Sequence, residues 1–291
     1  MVNPHASPEI PGVSLLPRAA PSVRRWDEHA EPEGVVRELW VYRELLFFLS
    51  WRDIKVRYRQ TFLGVSWALI QPLLTMAIFT VLFGRVANLP TDGVPRPLFY
   101  FSALVPWLYI SNAVSNASMS FVSNANLITK IYFPRIMLPA AVVVSGLLDF
   151  LIGSLLLVGF IIYYRVSLGW SLLLWPALVL QMFVLALGLG MFLSALNIRF
   201  RDVKYAVPFL MQLWLFVTPV IYPTSMIPAR FQGLLAVNPA GGLVEAFRHL
   251  LIPSVPMRWN LLGISALTTA VVFLLGFAFF RKTERAFADI I

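Results

Sequence analysis

The sequence predicts an all-α integral membrane protein with six transmembrane helices, an N-terminal amphipathic segment and two re-entrant half-helices before the last span. The first observation behind this is six long apolar stretches, at residues 64–84, 98–122, 136–164, 171–196, 205–222 and 259–280. A bilayer core about 30 Å thick needs roughly 20 helical residues to cross it. The second is charge asymmetry. With the first residue on the cytoplasmic side, only Arg85, Arg96, Arg165, Arg230, Arg248 and Arg258 fall outside, and the other 17 of the 23 Lys and Arg residues fall inside. The positive-inside rule then places both termini in the cytoplasm. Composition agrees, with 59% hydrophobic and 13% charged residues, against about 25% charged in an ordinary soluble domain.

The net charge of +9 does not point to nucleic acid, because the basic residues flank apolar spans and suit an anionic cytoplasmic leaflet. Absence of cysteine excludes disulfides and thiolate metal sites. The three histidines make no metal-ligand spacing. The first 30 residues lack the apolar core of a cleavable signal peptide and hold Pro4, Pro8, Pro11, Pro17 and Pro21 instead.

Residues 1–33 read as a disordered cytoplasmic tail. Residues 34–63 form an amphipathic interface segment. Arg37, Glu44, Arg52, Lys55 and Arg59 share one sector at 100° per residue, and Leu39, Leu46 and Trp51 lie largely away from it. Arg43 and Arg57 spoil the stripe. A surface-lying helix broken near Ser50–Trp51 is expected, with a plain basic juxtamembrane anchor as the alternative. Residues 64–280 form the transmembrane domain, and 281–291 a cytoplasmic tail. The first span carries Gln71–Pro72, an expected kink. The second carries Pro106 and a polar run in which Asn112, Ser115 and Asn116 share a face. Such residues face another helix or a wet cavity. Asp149 lies mid-span in the third segment, where an acid is either functional or a hydrogen-bonded structural group. Two short charged turns, 123–135 and 197–204, fall on the cytoplasmic side. Residues 223–258 are apolar, yet their two halves around Asn238-Pro239-Ala240-Gly241-Gly242 are each too short to cross. Two half-helices dipping into the outer leaflet fit, and an external surface loop is the alternative. Within them Glu245 can pair with Arg248 or His249.

The dipeptide Gly-Lys never occurs, so there is no phosphate-cradling loop of the G-x-x-x-x-G-K-[ST] type. No nucleophile–base or paired-carboxylate arrangement is evident. Asp149 alone is too little for an ion-coupled carrier. The chain is therefore expected to be no enzyme, to hold no cofactor, and to draw energy from elsewhere.

Several segments resemble ABC-2 type polysaccharide exporter permeases, the family of the O-antigen and teichoic-acid export subunits. They are Arg52-Asp53-Ile54-Lys55-Val56-Arg57-Tyr58-Arg59-Gln60-Thr61-Phe62-Leu63-Gly64 with Trp67 and Gln71-Pro72-Leu73, then Asn126-Leu127-Ile128-Thr129-Lys130-Ile131-Tyr132-Phe133-Pro134-Arg135. Asn197-Ile198-Arg199-Phe200-Arg201-Asp202, Asn238-Pro239 and Glu245-Ala246-Phe247-Arg248 complete the set. The resemblance covers about residues 35–285. It implies a homodimer in the bacterial inner membrane. Two copies of a cytoplasmic ABC ATPase would bind ATP and Mg, and a lipid-linked glycan would be moved outward. It implies an interface helix at residues 35–50 and ATPase coupling through Arg57, Arg59, Asn126, Lys130, Arg135, Arg199 and Arg201. An outer gate would form near Asn238, Glu245 and Arg248. Aromatic side chains provide an apolar face with a polar handle for a sugar path. Tyr100, Trp107, Tyr109, Trp214 and Tyr222 are the candidates, with core packing the alternative. Trp107 and Tyr109 lie about ten residues into their span, roughly 15 Å, too deep for an interfacial belt. An exporter of teichoic acid or of a small amphiphilic drug or lipid shares this topology, and a membrane-embedded glycosyl carrier transferase is a further competing class.

Overall fold

The computed structural model describes residues 35–59, 66–128, 130, 133–166, 169–251 and 257–284. The expected tail at 1–33, and residues 60–64 of the Arg52–Gly64 motif, lie outside them, as do Thr129, Ile131, Tyr132 and residues 285–291. Every regular element among the described residues is helical. In order these are α1 (Val35–Val41), α2 (Arg43–Arg59), α3 (Ser66–Phe79), α4 (Arg96–Ser118), α5 (Ser120–Ser123), α6 (Ala125–Ile128), α7 (Met137–Tyr163), α8 (Trp175–Arg199), α9 (Val203–Val217), α10 (Ala229–Val237), α11 (Pro239–Leu251) and α12 (Trp259–Glu284). A wider helical turn, Thr80–Val86, extends α3, and a tighter one, Trp170–Leu174, leads into α8.

Five helices are long and apolar enough to cross a membrane: Ser66–Val86, Arg96–Ser118, Met137–Tyr163, Trp170–Arg199 and Trp259–Glu284. The expected fifth span, 205–222, is instead the 15-residue α9. At 1.5 Å per residue it is about 22 Å long, short of the bilayer core. Its end has a local cause. Thr218 precedes Pro219 and takes the extended conformation, ψ 139°, because a proline clashes with a helical residue before it.

α4 is the central helix, with 78% of its apolar window buried, whereas α3 has 6% and stands at the edge of the subunit. α7, α8, α9 and α11 all pack on α4. The tightest seam joins α8 and α12. A Cβ on Gly276 would stand 2.2 Å from the Gly188 carbonyl oxygen, so the two backbones touch, as small residues allow between helices in lipid. At the C-terminal ends of both helices the Asn197 amide donates to the Ser118 carbonyl at 2.9 Å, tying α8 to α4.

The N-terminal segment differs from expectation in two ways. Its break falls at Tyr42, between α1 and α2, while α2 runs unbroken through Ser50 and Trp51. The Ser50 hydroxyl bonds back to the Leu46 carbonyl one turn earlier, at 2.7 Å, so its polar group is satisfied within the helix. The far end of α2 also packs against α7, so it does not lie free on a surface.

A polar cavity and a buried ion cluster

Arg57 breaks the charged stripe of α2 because it points inward. Its guanidinium donates to the Asp149 carboxylate on α7, and the Tyr58 hydroxyl donates to the other Asp149 oxygen. Burial, and the carboxylate that its hydroxyl faces, push the Tyr58 phenol up to about 12, so it stays a donor at ordinary pH. These groups border a cavity of ≈ 260 Å³ between α2, α3, α4 and α7. Gln71, Asn112, Asn116, Tyr109 and Trp67 also line it. Asn112 and Asn116 are exposed although their neighbours Ala113 and Val114 are buried; two of the three residues of the polar face read from the sequence thus border this space. Tyr109 closes one wall, donating to the Val143 carbonyl at 3.1 Å. Asp149 is accordingly a paired group, and the partner comes from 92 positions away.

A second cluster lies where α11 meets the end of α9. Arg248 donates to Glu245 at 3.0 Å and to the Pro219 carbonyl at 2.8 Å. Its guanidinium lies 3.9 Å from the Phe99 ring centroid, a cation–π contact. The Thr224 hydroxyl donates to Glu245, and His249 Nε2 lies 3.6 Å from the same carboxylate oxygen. Residues Ala240 to Leu250 are all buried, so this half of the 223–258 region is a packed helix, not an external surface loop. Asn238 caps α11, its side-chain oxygen accepting from the Ala240 N–H at 3.1 Å and from Trp214 Nε1 at 2.9 Å. That is the usual way a helix start satisfies an orphan N–H.

The candidate path aromatics do not gather in one place. Tyr109 faces the cavity. Tyr100 is fully buried, edge-on to Phe79 and Phe99. Trp107 is buried against Trp214, ring centroids 5.5 Å apart. Tyr222 donates to the Phe216 carbonyl at 3.1 Å. The candidate coupling residues also divide. Arg59, Asn126, Lys130, Arg199 and Arg201 are exposed. Arg57 is turned to Asp149. Arg135 donates to the Glu284 carbonyl at 2.7 Å, at the end of α12. There Arg281 binds both Glu284, at 2.9 Å, and Glu38 of α1, joining α1, the start of α7 and the end of α12. The sequence carried a signal for the Arg57–Asp149 pair, in a cation off its stripe and a lone intramembrane acid. It carried none for Thr224.

The ABC-2 type transporter family profile matches residues 44–252. The chain is 33% identical over 259 residues to the O-antigen export system permease protein RfbA of Myxococcus xanthus, covering 88% of this chain and 98% of that one. It is 29% identical over 252 residues to a protein of the same name from Klebsiella pneumoniae, covering 85% and 95%. It is 25% identical over 254 residues to the polysialic acid transport protein KpsM of Escherichia coli, covering 81% and 92%. With apolar helices enough for five crossings, a family match over most of its length and relatives aligned almost end to end, the chain belongs to the ABC-2 type transporter family.

Proposed function

We propose that this chain is the membrane-spanning permease subunit of an ABC exporter that moves a lipid-linked surface polysaccharide of the O-antigen type outward across the bacterial inner membrane. The observation that carries this reading is the near end-to-end alignment with an O-antigen export permease at 33% identity. In this reading the chain catalyses no reaction itself. A separate cytoplasmic ATPase binds ATP and Mg and docks on the exposed turns that carry Asn126, Lys130, Arg199 and Arg201. The subunit works as a homodimer. Support for that comes from the outer face of α9, where Phe209, Leu213 and Phe216 are all exposed. α9 and the residues after it complete a sixth crossing, which puts both termini in the cytoplasm. The α10–α11 hairpin dips into the outer leaflet and closes the outer mouth, with the Glu245–Arg248 pair holding it shut.

Deleting the gene tests the reading. Undecaprenyl-linked glycan is expected to accumulate on the cytoplasmic face and to disappear from the cell surface. Restoration should require both this chain and an ATPase partner. Normal surface glycan in the deletion strain would overturn the assignment.

A further inference from the structure

We propose that the cavity between α2, α3, α4 and α7 is a saccharide-recognition site that takes the sugar unit next to the lipid anchor and discriminates against a bare phosphate. The inference rests on the export reading and adds to it a place and a ligand chemistry.

Depth comes first. Val142 and Asp149 stand five and twelve residues into α7, roughly 8 and 18 Å from its start, and Gln71 is five residues into α3. Gly153, sixteen residues and roughly 24 Å into α7, also lines it, so the cavity runs from near the start of α7 to past its middle. α3, on one side of it, is the helix that the subunit leaves least covered. A head group attached to a chain in lipid can reach the cavity from that side.

Charge decides the chemistry. The ionised groups on the wall are Arg57 and Asp149, and they cancel. A phosphate or diphosphate carries one or more negative charges and is bound by an excess of guanidinium, ammonium or backbone N–H groups. Here Asp149 would face it with a like charge. A sugar has the opposite requirement. Each hydroxyl both donates and accepts, and the amides of Gln71, Asn112 and Asn116 offer donors and acceptors together. Trp67 is 52% exposed beside them, an apolar face for the C–H side of a pyranose ring. Amides left exposed inside a membrane subunit carry a desolvation cost unless water or a polar ligand meets them. Tyr58 and Ser145 take up Asp149 and Arg57 in part, so the pair is already satisfied within the wall.

The chain has no cysteine, so single-cysteine probes are clean. Full-length Asn112→Cys and Gln71→Cys proteins, each leaving the other amide in place, are put in lipid nanodiscs and labelled with a water-soluble maleimide. Lys130→Cys, in the exposed cytoplasmic turn, is the control. The probes are dodecyl glycosides of glucose, galactose, mannose, rhamnose and N-acetylglucosamine, and dodecyl phosphate. At ten times its Kd, at least one glycoside is expected to slow labelling at both cavity positions by roughly tenfold, since the free fraction falls as 1/(1 + [L]/Kd). Dodecyl phosphate should leave both rates unchanged, and neither class should alter Lys130→Cys. Adding Asp149→Asn should reverse the order, because the cavity then carries net positive charge and admits the phosphate. The proposal is overturned if no glycoside protects, if dodecyl phosphate protects as well as any glycoside, or if Lys130→Cys is slowed equally. The gene deletion separates the two readings. Glycan accumulation without cysteine protection sinks only the sugar site. Protection with unaltered surface glycan leaves the sugar site standing and sinks the export reading.

Discussion

Arg248–Glu245 and Arg57–Asp149 are both guanidinium–carboxylate pairs in a membrane protein, and they differ in every respect that matters physically. The first pair is three residues apart on one helix, with side chains 7% and 8% exposed. The second joins residues 92 positions apart on two helices, with side chains 31% and 28% exposed. Where water is excluded, a charge has no alternative partner, and the pair becomes a fixed pin between elements. Arg248 is that kind of group, held by Glu245, two carbonyls and the Phe99 ring. Where the pair borders an open cavity, its members can exchange one another for water or a ligand at modest cost. The same two side-chain types thus make a structural clamp in one half of the molecule and an accessible polar wall in the other.

Removing one side of the clamp should give the largest effect. Breaking a buried pair leaves an uncompensated charge, at a cost of about 3–5 kcal/mol. Arg248→Ala and Glu245→Ala are therefore expected to lower the melting temperature of the purified chain further than any cavity variant. In vesicles, folded dimers of either variant should also leak a small dye if this cluster closes the outer mouth. A melting temperature near wild type for Arg248→Ala would show that the cluster is not a pin. Stable folding with no added leak would remove the gate assignment and leave a purely structural cluster.

The open pair should respond less, and in a way that shows coupling. A hydrogen bond to a charged group contributes about 1.5–3 kcal/mol, with water in the cavity expected to bring the loss toward the lower figure. Arg57→Met and Asp149→Leu are each expected to destabilise by that order. The double variant should lose less than the sum, with an interaction energy of roughly 1–2 kcal/mol. Strict additivity, read from thermal unfolding of all four proteins, would show that the pair seen here does not contribute as a pair.

How far the sequence revealed each region follows from the range of the interactions. Glu245 with Arg248 and His249 is helix spacing and needs only the chain itself. The apolar spans and the break at Asn238 are likewise local. Asp149 was visible as an anomaly but its partner was not, because 92 positions of chain separate it from Arg57. The same limit hid the divided fate of the aromatics. Position shows that Trp107 and Tyr109 sit deep in a span, but only packing shows that Tyr100 and Trp107 meet Phe79, Phe99 and Trp214 while Tyr109 faces a cavity. The length of α9 was misjudged for a local reason, since hydropathy continues past Val217 while the proline at 219 ends the helix. The Gly188–Gly276 seam gave no signal at all, because two glycines acquire meaning only when their helices cross.

A third class of charge, the exposed cations at the end of α8 and in the turn after it, should show the smallest effect on stability. It sharpens the comparison by separating folding from docking. Arg199 and Arg201 are exposed, and solvent-facing ion pairs are individually weak. Reversing both to Glu should leave the melting temperature of the isolated chain unchanged. Arg135→Glu should differ, because Arg135 donates to the carbonyl of Glu284 at the end of α12; a small but measurable loss of stability is expected there. If the turn after α8 is a docking surface, the Arg199→Glu/Arg201→Glu chain should lose its ATPase partner on co-purification while Arg135→Glu retains more of it. Equal loss of partner in both would mean that the shape of the whole cytoplasmic face, and not the charge on one turn, carries the contact. Complete retention by the double reversal would take the docking role away from this turn and leave the α5–α6 segment with Asn126 and Lys130 as the surface to probe next.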